Sequence, residues 1–109
     1  LVHEALNADM VSQIRDQLNA NGQARLAAIM NDILDYHTTP VEGAEVASEA
    51  GARMLVFSHF VPAVPSRLLY PAFLKGTDDA YDGPIIMGED GMAFELSASS
   101  ENIVRKRLD

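Results

Sequence analysis

The chain has 109 residues, 48% of them hydrophobic and 22% charged, with a formal net charge of −8 and no cysteine. That composition suits one globular α/β-sized domain, in which roughly 60–70% of the unfolded surface can leave water. It excludes disulfides and thiolate chemistry, argues against non-specific nucleic-acid binding, and contains no apolar run long enough for a membrane span. No signal-peptide pattern appears, so a cytoplasmic location is expected.

Residues 1–3 read as the end of a strand, with Glu4 and Ala5 turning out of it. A start at Leu1-Val2 predicts that this strand begins earlier and that the sequence is a segment of a longer protein. Asn7 or Asp9 can cap a helix whose apolar face is Met10, Val11, Ile14 and Leu18, and Asn21-Gly22 ends it. A second helix over residues 23–35 carries Leu26, Ile29, Met30 and Ile33 on one side. Core packing is predicted for both.

The stretch from 39 to 62 organises the rest. Thr39 is an N-cap, Pro40 suits the first helical position, and Glu42 stands at capping-box spacing. Val41, Ala44, Ala47 and Ala50 give a helix face small enough to lie close against a sheet, and Gly51 supplies the left-handed stop. Met54, Leu55, Val56 and Phe57 then form a continuous apolar run, as in a strand covered on both faces. His59 follows it, and Pro62 and Pro65 end it. Beyond lie a short helical stretch over 66–75, interrupted by Pro71 and stopped by Gly76, and an acidic loop with Asp78, Asp79 and Asp82. Residues 84–88 and 92–96 form a hairpin around Asp90-Gly91, a strong turn signal. Residues 97–109 are a polar tail, mildly amphipathic through Ile103, Val104 and Leu108. Arg105, Lys106 and Arg107 read there as a solvated helix end.

If the strands at 1–3 and 52–58 are parallel neighbours, the connecting helix starts at the edge where both strands end. His3, Glu4, His37 and His59 then gather at one edge, where open α/β sheets hold their ligands. Each has a simpler reading: a satisfied core histidine for His59, a surface or capping residue for His37, a local hydrogen-bonded pair for His3 and Glu4. Their shared location weighs against all three. Imidazole is a common zinc ligand, and a histidine with a carboxylate is the usual proton-transfer pair. The set is compatible with metal-assisted hydrolysis, in which the ion lowers the pKa of bound water to about 7. Zinc takes three or four protein ligands and only His59 is well placed, so the site is incomplete. The aspartates lack the glycine and terminal glutamate of a calcium loop. Gly83, Gly88 and Gly91 form no phosphate cradle, and there is no serine elbow.

At these residues the sequence resembles the metallo-β-lactamase-fold hydrolases, within them the ribonuclease Z-like and arylsulfatase-like branch. Leu1-Val2-His3-Glu4-Ala5 is similar to that branch's His-Glu-Ala-Thr segment, with Leu6 in place of threonine. His37-Thr38-Thr39 resembles its His-Ser-Thr segment, and Leu55-Val56-Phe57-Ser58-His59-Phe60 its strand ending in the last metal ligand. Tyr81-Asp82-Gly83-Pro84 with Glu89-Asp90-Gly91-Met92 resembles its closing strands. The likeness spans residues 1–96 and implies the C-terminal part of an αββα sandwich, with helices on a small mixed sheet and a C-terminal hairpin. It implies a parent enzyme with two zinc ions, His59 binding the second, and His37 assisted by Glu4, beside His3, serving the leaving group. The family's His-x-His-x-Asp-His loop and bridging aspartate are not in this chain. Phe60-Val61-Pro62-Ala63 replaces the serine and Arg-Tyr pair of ribonuclease Z proper. Transfer RNA is therefore disfavoured against a smaller phosphodiester or related ester, with a sulfate ester or lactone as a variant. No membrane partner is expected, and a homodimer or higher oligomer is. The rival reading is a non-catalytic α/β module that self-associates or pairs with another chain.

Overall fold

Local chemistry sets the boundaries of the central helix, α3 (Pro40–Glu49), in the computed structural model, which describes residues 1–108. The Thr39 hydroxyl accepts from the Glu42 N–H at 3.2 Å and Glu42 Oε1 accepts from the Thr39 N–H at 3.1 Å. This closes the capping box. Gly51, at φ 64°, takes the left-handed turn after the helix.

Before α3 come β1 (Val2–Leu6), α1 (Ala8–Ala20) and α2 (Ala24–Ile33). After it come β2 (Leu55–Val61), a 3₁₀ turn (Arg67–Leu69), α4 (Tyr70–Phe73), α5 (Thr77–Ala80), β3 (Ile85–Met87), β4 (Met92–Leu96) and β5 (Ile103–Arg107). The strands β1, β2 and β3 lie side by side in that order, with both pairs parallel. Parallel neighbours require crossovers, and the helical stretches 8–49 and 67–80 provide them. The core joins Ala44 and Ala47 of α3 to Ala5, Leu55, Phe57, Phe73, Tyr81 and Met87. Alanines on α3 let the helix approach the sheet closely enough for the Phe57 ring to be wholly buried beneath it.

Four expectations are corrected. The stretches 84–88 and 92–96 do not pair with each other: β3 joins β2, and β4 pairs antiparallel with β5. The three-stranded sheet is thus entirely parallel, and the antiparallel pairing lies in a separate hairpin. The tail is not a helix end, because Ile103 to Arg107 find a strand partner in Met92 to Leu96. Asp109 lies outside the described residues. Residues 77–80 of the acidic loop form the short helix α5 after Gly76 at φ 87°; the stretch before it divides, as expected near Pro71, into the 3₁₀ turn and α4, with Pro71 in the first turn of α4. Finally, α1 and α2 pack on each other and bury fully only Val11 and Ala27, leaving Leu26 and Ile29 each 48% exposed.

Strand β1 also runs further than expected, to Leu6, and its pairing with β2 is irregular. Val2 and His3 lie opposite Val56 and Phe57, but Glu4 lies opposite His59. Ser58 is the extra residue of a β-bulge. The Val61–Pro62 peptide bond is cis. None of the described helices is long and apolar enough to cross a membrane.

Candidate functional site

Glu4 is where the polar groups meet. Its Oε1 accepts the Thr38 backbone N–H at 2.8 Å and its Oε2 lies 3.1 Å from His37 Nδ1. An ionised carboxylate only accepts, so His37 donates from Nδ1, leaving Nε2 as the nitrogen for proton exchange. Two backbone bonds fix the geometry: Leu6 N–H donates to Thr38 O at 2.7 Å, and Asn7 N–H to Val61 O at 2.8 Å. Asn7 then caps α1 through Oδ1 and holds the Phe73 carbonyl through Nδ2. The approach to α3 is therefore tied to β1 by main chain as well as by the carboxylate. The Tyr36 ring, 5.1 Å from the imidazole of His37, limits its rotation further.

Burial pushes the Glu4 carboxyl upward, but the Thr38 N–H and the hydrogen bond and charge of His37 outweigh that. Its pKa lies below the ordinary value. The group is ionised at neutral pH and orients its histidine, as in proton-transfer pairs.

His59 is exposed on β2 directly opposite Glu4. Paired residues of adjacent strands emerge on the same face, so Glu4, its partner His37 and His59 share one side of the sheet. His3 does not join them. Strand alternation sends it to the other face, and its Nδ1 donates to the Glu4 main-chain carbonyl at 2.7 Å. Among the described residues, no group of three or more histidine, aspartate or glutamate side chains converges to hold a metal ion. His59 is suited to be one ligand, but the described residues alone do not complete a zinc site.

A second cluster went unnoticed in the sequence. Glu89 accepts from Arg67 Nη2 at 2.6 Å and Nε at 3.0 Å, from the Tyr70 hydroxyl at 3.1 Å, and from Arg107 Nη1 at 3.3 Å. The Arg67 fork above all, with Tyr70 and Arg107, holds its pKa at about 2. The only available signal was a lone acidic residue with arginines 22 and 18 positions away, separations that no local pattern encodes.

A parallel three-stranded sheet with helices and a C-terminal antiparallel hairpin is consistent with part of a metallo-β-lactamase fold. Among known proteins the chain is 38% identical over 91 residues to a protein named putative ribonuclease Z from Mycobacterium tuberculosis (strain CDC 1551 / Oshkosh), covering 83% of this chain and 35% of that one. The ribonuclease Z of Mycobacterium tuberculosis strain H37Rv matches at the same identity and length, with 29% of it covered. That of Mycolicibacterium paratuberculosis strain K-10 is 36% identical over 64 residues. The chain therefore spans about a third of the length of the relatives it matches. These names favour the ribonuclease Z side of the resemblance and give the arylsulfatase-like side no support. No family model matches the chain.

Proposed function

We propose that this chain is part of a metal-dependent hydrolase that cleaves phosphodiester bonds in RNA, with Glu4 and His37 as its proton-transfer pair. The observation that carries the reading is the Glu4 carboxylate, held by the Thr38 N–H and bonded to His37 Nδ1 on the side of the sheet shared by His59. The ribonuclease Z names of the similar proteins supply the substrate class. In this reading Glu4 keeps Nδ1 protonated and His37 delivers a proton from Nε2 to the departing oxygen. Zinc enters as the proposed cofactor through His59 alone, its remaining ligands coming from outside these residues. Metal analysis of the whole protein, with and without His59→Ala, reads that part directly.

A ribose oxygen is a far poorer leaving group than an aryl oxide, so a proton donor matters more for RNA. His37→Ala in the whole protein is expected to slow cleavage of RNA by about 10²–10⁴-fold, and of an aryl phosphodiester by much less. Undiminished RNA cleavage removes His37 from this role.

A further inference from the structure

Four of the eight lysines and arginines of this acidic chain, Arg67, Arg105, Lys106 and Arg107, line one groove of about 820 Å³. It opens between the 3₁₀ turn with α4 on one side and β5 on the other, over an apolar floor that includes Leu74, Ile85 and Met92. The carboxylate among its lining residues is Glu89. Strand alternation puts Arg105 and Arg107 on one face of β5 and Lys106 on the other, where it meets Glu95 at 2.5 Å. Glu89 Oε1 gathers Arg67 and Arg107 onto a single oxygen. Arg105 is exposed and has no carboxylate partner among the described residues.

The groove lies toward the face of the sheet that carries Phe57 and Met87, opposite Glu4 and His59. Met87, the last residue of β3, pairs with Phe57, and Glu89 follows two residues later. Phe60, next to His59, meets the Tyr70 ring edge-on at 6.5 Å, and Tyr70 donates to Glu89. Arg67, Arg105 and Arg107 thus outnumber the single carboxylate in the groove. Guanidinium forks match phosphate oxygens, and basic grooves track single-stranded backbones.

We propose that this groove seats the phosphodiester backbone of single-stranded RNA across the sheet from the Glu4–His37 pair, an inference that rests on the hydrolase reading above. The test is fluorescence anisotropy of the whole protein with a labelled single-stranded oligouridylate, titrated with salt. Arg105→Glu is compared with Arg25→Glu, which makes the same charge change on exposed α2, away from the groove. Arg105→Glu is expected to weaken binding about tenfold at low salt and to reduce the log–log salt slope by about 0.7 for each phosphate no longer neutralised. Arg105→Gln should give an intermediate loss, and Arg25→Glu should leave affinity and slope unchanged. Equal losses in the two charge reversals, or no loss in either, overturn the proposal. Turnover of an aryl phosphodiester by the unaltered protein reads the hydrolase assignment separately: Arg105-dependent RNA binding without turnover refutes that assignment and retains the groove.

Discussion

Replacing Gly43 with alanine sets two opposed effects of similar size against each other. Gly43 lies inside α3 with ordinary helical geometry, so alanine there should favour the helix by about 0.8–1 kcal/mol. A methyl at that position, however, would stand 2.8 Å from Phe57 Cε1 and 3.2 Å from Cζ. The ring is fully buried in the core beneath Ala44 and Ala47, so it cannot swing into solvent. Overpacking of this kind costs about 1–3 kcal/mol, which leaves a net loss of about 1 kcal/mol. For a domain of this size that lowers Tm by about 4–8 °C, read by circular dichroism or calorimetry. In a Phe57→Leu background the colliding ring atoms are gone, and the same substitution should stabilise by about 0.8–1 kcal/mol. The sign reversal implies a coupling of about 2 kcal/mol between the two positions. A rise in Tm from Gly43→Ala alone would refute the packing described for α3 on β2.

Two other outcomes follow from the carboxylates. Glu4 has its pKa lowered by folding, so its contribution is present above the ordinary carboxylate range near 4.3 and is lost as pH falls through the folded value. Protection of the Thr38 amide relative to its intrinsic exchange rate should fall across that acid window in the unaltered protein, and Glu4→Gln should largely remove that change. Glu89, held at about 2, keeps Arg67, Tyr70 and Arg107 together until pH falls from about 4.5 towards 2. Glu89→Gln should loosen the hairpin at neutral pH, seen as faster exchange of the Leu108 amide that bonds to Gly91 O at 2.6 Å.

What the sequence revealed followed the range of the interactions concerned. The Thr39–Glu42 box, the Gly51 stop and the Asn7 cap depend on neighbours within a turn, and all three form as read. Contact between Glu4 and His37 spans 33 positions, but crossover topology brings a helix start and strand ends together without any local code. The closing strands were different. Asp90-Gly91 does turn the chain, with Gly91 at φ 86°, yet turn chemistry cannot choose between two partners for β3, and the apolar β2 edge wins. The alternation of Ile103 and Arg105 to Arg107 was too short and too charged to announce a strand until Met92 to Leu96 lay beside it. Leu26 and Ile29 had the right spacing for a buried face, but spacing says nothing about whether a covering surface exists.

The alignment of Glu4 with His59 depends on counting residues rather than on attraction between them. Ser58 is one unit of chain with no opposite number on β1, and it offsets everything after it. Side-chain replacements along either strand leave that offset intact. An even ladder would instead set Ser58 opposite Glu4 and turn the imidazole to the opposite surface, away from the carboxylate, without altering either group. The unpaired residue over this short stretch is therefore itself part of the site, although its own side chain takes no part in it.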